Sequence, residues 1–589
     1  MSDIIGRLFR EFAVTLSVSI LISAIVSLTL TPMLCRYLLK HKQLKSKSKF
    51  EVYVQSFFDK MIHYYSMSLK FVLNYQKTTI IVAFLTLILT ITLFLMIPKG
   101  FFPIQDTGLI QGITEAPQSI SFREMYNKQQ EMMSEILKDP AVENLSSFIG
   151  VDGSNYTLNS GRILIKLKPL EERKLHASKI IDRIQKNVAK VKEMTLYMQP
   201  VQDINIDDRI SRTQYQYSLN SPYFSEIEKW GALLVENLKK SPELKDIAND
   251  TQNFGLQSKI NIDRNSAARF GITVANLDST LYSAFGQRQI STMFSQTNQY
   301  HVILEVNPNL KITPHNVLDS LFIQSSSGNA IPLSSFSSIK HSMEPLVIYR
   351  QGQFPVSTIS FNLASHKSLG DAVTAIENTK NNLNFPDSIQ TTFEGAAKSF
   401  QNALANEGLL ILAAIVVVYI VLGILYESYI HPLTILSTLP SAGMGALFAL
   451  QITHSDFDII ALIGIILLIG IVKKNAIMMI DFSLELERNE KKTPIEAIFQ
   501  ACLLRFRPIL MTTLASLLSA IPLAFGSGMG SELRRPLGIS IMGGLIVSQL
   551  LTLYTTPVIY LLFDKLSCYF KSFFHSNTKN TKTIEDKNE

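Results

Sequence analysis

Two adjacent lysines, Lys473 and Lys474, lie inside an otherwise apolar run that begins at Ile459 and ends Gly470-Ile471-Val472-Lys473-Lys474-Asn475-Ala476-Ile477-Met478-Met479-Ile480-Asp481-Phe482. An ammonium group well inside a bilayer costs a few kcal/mol, so a lysine there is by default a place where charge is used. At about 1.5 Å per residue, Lys474 is roughly 22 Å from Ile459, about two-thirds of the way through a roughly 30 Å core. The competing explanation is a helix near its exit whose lysines snorkel to headgroups. Both readings stay open for Lys474, whereas Lys473 fits the snorkelling one. A second polar stripe follows. Arg505, Thr512, Ser516 and Ser519 are spaced 7, 4 and 3 apart, within about one helical face. Its bland explanation is a surface anchor of Arg505 and Arg507, with hydroxyls bonded to their own backbone. Against that, buried ionisable groups in consecutive spans of one bundle are expected to face one another or an aqueous path.

The elements that position these groups are legible in composition. The chain has 589 residues, 47% hydrophobic, with a mean hydropathy of +0.19, an average over long uncharged runs and one long polar block. Seven runs reach spanning length: Ala13 to Cys35, Thr78 to Ile97, Gly408 to Leu425, Leu433 to Ile452, Ile459 to Phe482, Pro508 to Phe525 and Leu537 to Leu562. The first is too long for a signal peptide, lacks a cleavage site and precedes a basic stop-transfer stretch. Arg36, Lys40, Lys42, Lys45, Lys47 and Lys49 make the loop after it cytoplasmic. Counting onward puts Pro98 to Glu407 outside, and Tyr426 to Pro432, Arg488 to Arg507 and the tail from Lys565 inside. Cys35, Cys502 and Cys568 all fall on the cytoplasmic side, with no disulfide framework and no metal spacing. The net charge of +7 reflects positive-inside loops, and nothing resembles a nucleic-acid footprint of basic residues interleaved with aromatics.

Phe50, Val54, Phe57, Phe58, Met61, Tyr65 and Leu69 recur at helical steps, predicting an amphipathic helix in the inner-leaflet interface. The outside block reads as strand-helix-strand units: Gly108 to Ile113, Ser121 to Lys138 and Val142 to Phe148; Tyr215 to Leu219, Phe224 to Lys240 and the stretch after Leu244; Val356 to Phe361, Leu369 to Leu383 and Ser388 to Phe393. Such units predict split βαβ sandwiches of the ferredoxin-like type. Ser258 to Met343 reads as an inserted module, with strands at His301 to Val306 and Ala330 to Leu333 and helices at Val274 to Ser283 and Pro314 to Ser320.

Several stretches together resemble a known family. They are Gly6-Arg7-Leu8-Phe9-Arg10-Glu11-Phe12-Ala13, Leu28-Thr29-Leu30-Thr31-Pro32-Met33, Ile97-Pro98-Lys99-Gly100-Phe101-Phe102-Pro103, Gly470 to Ile477, Arg505-Phe506-Arg507-Pro508-Ile509-Leu510-Met511-Thr512 and Glu532-Leu533-Arg534-Arg535-Pro536-Leu537-Gly538. In order and spacing they resemble the resistance-nodulation-division (RND) multidrug efflux transporters, in particular the Mdt subfamily, over nearly the whole chain to about Phe563. The resemblance implies an α-helical polytopic protein of the bacterial inner membrane with a large α+β periplasmic region: seven transmembrane helices, ferredoxin-like βαβ porter subdomains and an inserted docking module. It implies the carboxy-terminal half of a twelve-span tandem duplication. The expected divisions are 1–35, a terminal segment and first span; 36–77, a cytoplasmic loop and interfacial helix; 78–97, the second span; 98–257, porter subdomains; 258–343, docking; 344–407, the rest of the porter; 408–563, a five-helix bundle; and 564–589, a cytoplasmic tail.

In such transporters protons pass through two aspartates of the fourth span, a lysine, an arginine and a threonine. The resemblance carries the last three onto Lys474, Arg505 and Thr512 and leaves the aspartates to an absent half. Asp481 sits near a cytoplasmic end and is a poor substitute. The substrate cleft maps beside the glycine-rich loop Gly150 to Gly161, with Phe148 and Tyr156 as candidate lining residues or simple core. Met132, Met194 and Met198, with Met133, form no evident site, so metal export ranks low. The implied partners are a separately made amino-terminal half, a periplasmic adaptor, an outer-membrane channel, further copies in a trimer, membrane lipid and small-molecule drugs; no cofactor is implied. No phosphate loop, nucleophile elbow or Cys-x-x-Cys appears, so no enzyme is expected. A non-transporting remnant and a membrane scaffold or export accessory are the alternatives. The topology predicts that an impermeant maleimide labels cysteines only after the inner membrane is opened. Labelling in intact spheroplasts would overturn the span count.

Overall fold

The computed structural model describes residues 3–38, 49–150, 157–207, 211–251, 255–307 and 318–585. Tyr156 and residues 314–317 of the expected helix Pro314 to Ser320 lie outside them. The chain opens with α1 (Asp3–Leu38), an apolar helix exposed along nearly its whole length. Next comes α2 (Lys49–Asn74), whose four-residue repeat of Tyr65, Leu69 and Leu73 is buried. Its opposite face shows Tyr53, Phe57, Tyr64 and Phe71. The Tyr65 hydroxyl donates to the Leu553 carbonyl (2.8 Å) and its ring stacks on Phe506 at 4.7 Å. Then α3 (Gln76–Met96) leads out of the bundle.

The first α/β unit comprises β1 (Leu109–Glu115), α4 (Phe122–Leu137), β2 (Val142–Ile149), β3 (Ser160–Leu167), the short α5 (Leu170–Arg173), α6 (Ala177–Val188) and β4 (Thr195–Pro200). Its antiparallel strands are ordered β2-β3-β1-β4. The sequence reading marked the first half of this unit and passed over β3, α6 and β4. In the core, Ile110, Ile163 and Ile165 of the sheet meet Met132, Ile136, Ile180 and Ile184 of the helices.

The second and third predicted strand-helix-strand segments are not separate units. β5 (Tyr215–Asn220), α7 (Phe224–Leu238) and β6 (Leu244–Asn249) share one sheet with β14 (Phe354–Leu363), α10 (Leu369–Leu383) and β15 (Gln390–Glu394), ordered β6-β14-β5-β15. Both sheets therefore have the same split βαβ order. Between β6 and β14 the chain makes an excursion: β7 (Gly255–Ile262), α8 (Arg264–Arg269), α9 (Val274–Phe285), β8 (Arg288–Phe294), β9 (Gln299–Leu304), β10 (Phe322–Gln324), β11 (Ala330–Pro332) and β12 (Ser337–Glu344), followed by β13 (Arg350–Gln351). β7 and β12 pair along eight residues each and form its stem.

The chain returns through α11 (Gly395–Tyr426), α12 (His431–Leu436), α13 (Leu439–Ile452), α14 (Ile459–Glu490), α15 (Pro494–Phe525) and α16 (Ser531–Glu585). With α1 and α3 they provide seven helical segments, among the described residues, long and apolar enough to cross a membrane. In lipid such segments must bond their backbone internally, and a helix does that without help. Cys502 is buried in the bundle, so in the native fold the exposed Cys35 is the better reporter of sidedness. The α13–α16 crossing is set by glycine: a Cβ on Gly543 would lie 2.3 Å from the Ala449 Cβ and 2.6 Å from the Gly445 carbonyl oxygen. Gly543→Val should therefore lower unfolding stability by about 1–3 kcal/mol. Gly470→Ala, whose Cβ meets nothing within 4 Å, should be neutral or slightly stabilising. Thermal or detergent-titrated unfolding of the purified chain checks both.

Candidate functional site

α14 has two chemically different faces. Its inward face is apolar except for Asn475 and Ser483, both buried. The outward face carries Gly470, Lys474 and Asp481, all exposed and spaced 4 and 7 apart, with Lys473 half-buried at its margin. Consecutive residues are about 100° apart on a helix, so Lys474 points out where Asn475 points in. Among the described residues no hydrogen bond or ion pair joins Lys474 to Arg505 or Thr512.

Arg505, on the adjacent α15, lays its guanidinium over the Phe482 ring at 4.5 Å, and its buried Nε has no partner among the described residues. Thr512 is half-buried and donates to the Ile509 carbonyl (3.0 Å); Ser516 donates to Thr512 O (3.0 Å) and Ser519 to Ser516 O (2.7 Å). The predicted hydroxyl stripe thus bonds to its own backbone.

A polar junction that the sequence reading missed lies one residue along each helix. The Asn475 Nδ2 donates to Gln549 Oε1 (2.9 Å) and to Thr513 Oγ1 (3.3 Å), and the Thr513 hydroxyl lies 2.7 Å from the same Gln549 oxygen. It ties α14, α15 and α16 together. Its signal was available: Asn475 follows the lysine pair in an apolar run, and Gln549 interrupts the last span.

At the other end of α14, Asp458 caps the helix by accepting from the Ala461 amide (2.7 Å). Burial pushes its carboxyl up to about 7, against the Ala461 amide that favours the carboxylate and with the charge of Asp456 adding. Burial and Asp371 push Asp456 up to about 6. Both line a cavity of about 600 Å³ with Lys367, Gln451, Glu532 and Arg535. Glu532, in the first turn of α16, lies 3.5 Å from the His176 Nε2 at the start of α6. That region of the first α/β unit is held by the buried pair of Arg173 and Asp106, whose Oδ2 accepts from Arg173 (2.8 Å) and from the Ala177 amide (2.8 Å).

The two α/β units meet where Arg212 binds Glu115 through two hydrogen bonds (2.8 and 3.0 Å) and Asn362 donates to the Met198 carbonyl (3.3 Å). A cleft of about 350 Å³ opens beside this joint, lined in part by Ser178, Asp182, Met198, Lys245 and Asn362. Phe148, exposed on β2, sits across from Arg162 of β3. The structure does not bring it to this cleft lining.

This bundle, with two like split βαβ sheets and an excursion in the second, matches a family model over residues 1–564, that of the AcrB/AcrD/AcrF family. The chain belongs to the AcrB/AcrD/AcrF family. Among solved structures it is similar to the X-ray crystal structure of a heavy metal efflux pump, crystal form II, with a TM-score of 0.77 and 23% sequence identity. The match covers 86% of this chain and 53% of that one, so the chain spans about half the length of the pump it matches.

The raised carboxyl of Asp458 makes a signed prediction. Its folded-state value of about 7 exceeds the usual unfolded value of about 3.9, so the fold favours the neutral acid. That contribution is complete below the unfolded value and is lost as pH rises to the folded one. Asp458→Asn, always neutral and still able to cap, should be more stable than the wild type at pH 8 and indistinguishable at acid pH, as read by thermal unfolding across that range.

Proposed function

We propose that this chain is the carboxy-terminal half of a proton-driven RND-type efflux transporter of the bacterial inner membrane, working with a separately made amino-terminal half. The observation that carries the reading is the outward face of α14, where Lys474 stands exposed at a level of the helix flanked by apolar residues. A cation left there faces lipid unless a partner covers it, and uncompensated charge at such depth is expensive. A carboxylate pair on a partner span would supply the counter-charge. Its protonation would release the ammonium, and such a change biases a bundle between two packings. Lys474 is then the charge partner, with Arg505 and Thr512 as neighbours on α15 that reorient as the pair protonates.

The α/β units, on the periplasmic side, form the substrate cleft of the porter; Phe148 and Tyr156 are candidate contacts in the assembled transporter, Phe148 from beyond the lining of the cleft at the joint, and residues 258–343 dock toward an outer-membrane channel with a periplasmic adaptor and further copies in a trimer. Multidrug or xenobiotic organic substrates fit better than metal ions. The similar solved structure is that of a heavy metal efflux pump, but Met132, Met194 and Met198 of this chain are packed into the first unit's core, where they cannot serve as ligands without unpacking it.

The test is co-expression. The chain alone should confer no efflux, and an amino-terminal half carrying an aspartate pair should restore it. In the restored pair Lys474→Met should abolish protonophore-sensitive drug efflux while insertion and assembly persist, and Lys474→Arg should also fail, because the planar guanidinium does not replace a compact ammonium. Lys473→Met should be much milder. Efflux from the chain alone, or equal losses at both lysines, would contradict the reading.

A further inference from the structure

We propose that the seam between α14 and α16 is the cytoplasmic arm of the proton path, delivering protons from the Asn475–Gln549 level to Glu487. This inference rests on the proton-driven reading above. The two helices run in one direction, their register shifting by one residue between two contacts. Asn475 bonds Gln549 (2.9 Å), and three turns further on the Tyr560 hydroxyl donates to Glu487 Oε1 (2.8 Å). At about 1.5 Å per residue the two contacts are roughly 17 Å apart.

Polar side chains line the interval on both helices. Asn475, Ser483 and Glu487 recur at steps of 8 and 4, and Gln549, Thr552, Thr556 and Tyr560 at steps of 3, 4 and 4, so each set occupies one face. Ser483, Thr552 and Thr556 are buried. Serine and threonine inside membrane helices ordinarily bond their own backbone, and Thr552 does so, donating to the Ser548 carbonyl (2.7 Å). Ser548 and Thr556 do not: among the described residues their hydroxyls, together with the Gln549 Nε2, have no hydrogen-bond partner, while the Ser483 hydroxyl lies beside that of Tyr560. Buried polar groups in this state are commonly satisfied by internal water, and a file of hydroxyls and water moves protons by exchanging O–H bonds for hydrogen bonds.

The seam ends in a titratable cluster that the mechanism above does not use. The His431 ring, from α12, stacks on the Tyr560 ring at 6.1 Å and 19°, with its Nδ1 also buried and unpartnered among the described residues. Tyr426 of α11 flanks His431 at 6.1 Å, and the charges of Arg488 on α14 and Asp564 on α16 act on both His431 and Glu487. A proton arriving along the seam forms an O–H bond on the Glu487 carboxylate, which releases it to cytoplasmic water; the Tyr560 hydroxyl keeps its own proton and holds the carboxylate at the seam. One proton enters and one leaves, with no other bond made or broken.

The experiment measures substrate-driven proton flux with a pH-sensitive dye in proteoliposomes holding this chain and its amino-terminal half. Glu487→Gln should lower the flux about tenfold or more, and Glu487→Asp should restore much of it. Thr556→Val, which keeps the side-chain shape and removes an unpartnered hydroxyl, should leave thermal stability unchanged or raised and yet lower the flux. A structural role for the seam predicts the stability result without the flux result. Thr555→Val, whose hydroxyl bonds the Leu551 carbonyl (3.0 Å), should change nothing. Wild-type flux with Glu487→Gln and Thr556→Val both within about twofold of it would overturn this inference alone. Drug transport by the wild-type pair without any proton flux would instead overturn the proton-driven reading, and the inference with it.

Discussion

Charge placed on an apolar helix must be balanced from somewhere, and α14 meets that constraint in two ways at once. Turned inward, the neutral amide of Asn475 is satisfied within the bundle by Thr513 and Gln549. Turned outward, the ammonium of Lys474 finds no such partner among the described residues. A single helical step of about 100° separates the two. The inward junction fixes how α14, α15 and α16 pack, and therefore fixes which way the lysine must point. On the proposed reading a second set of spans completes the outward face, so the position that carries the chemistry is also the one that the isolated bundle leaves open.

The same helix ties the bundle to the α/β region. Its first turn is capped by Asp458, and the cavity beside that cap is walled by Glu532 of α16, which reaches His176 of the first unit. The Arg173–Asp106 pair holds the α5–α6 turn under that histidine. The pair is buried and bonded on several sides. α6, which follows that turn, borders the cleft between the two sheets. On the proposed reading, such contacts are what would let events in the membrane change the shape of a cleft outside it.

Spans and the amphipathic α2 were legible in the sequence because hydropathy and period are local properties: the start read at Thr78 falls within two residues of α3 and that at Ile459 coincides with α14, whereas α1 and α15 begin well before Ala13 and Pro508, because a helix continues past the apolar run that marks it. The pairing of β14 with β5 was not, because it joins strands some 140 residues apart and nothing in either strand names its neighbour; hence two segments of one sheet read as two units. β3 and α6 were legible in principle: β3 alternates buried and exposed residues over Gly161 to Leu167, and Ile180, Ile181, Ile184 and Val188 mark a helical face. At the site, the lysine pair stood out by charge alone. Thr513 did not stand out from Thr512, since which of two adjacent hydroxyls faces a neighbouring helix depends on packing. The same holds for Glu487 and Tyr560, ordinary residues until α14 and α16 are laid side by side.

The central claim is that the Lys474 face of α14 is an interface awaiting a partner, and a nitroxide attached at Gly470→Cys, in a chain with Cys35, Cys502 and Cys568 replaced, reports on it directly. Gly470 lies on that face with open space around it. Electron paramagnetic resonance of the label in bilayers, with the chain alone and then assembled with its amino-terminal half, measures its mobility and its accessibility to dissolved oxygen. The account predicts a mobile, oxygen-accessible label in the chain alone that becomes immobilised and shielded on assembly. A spectrum that does not change when the halves assemble would contradict it.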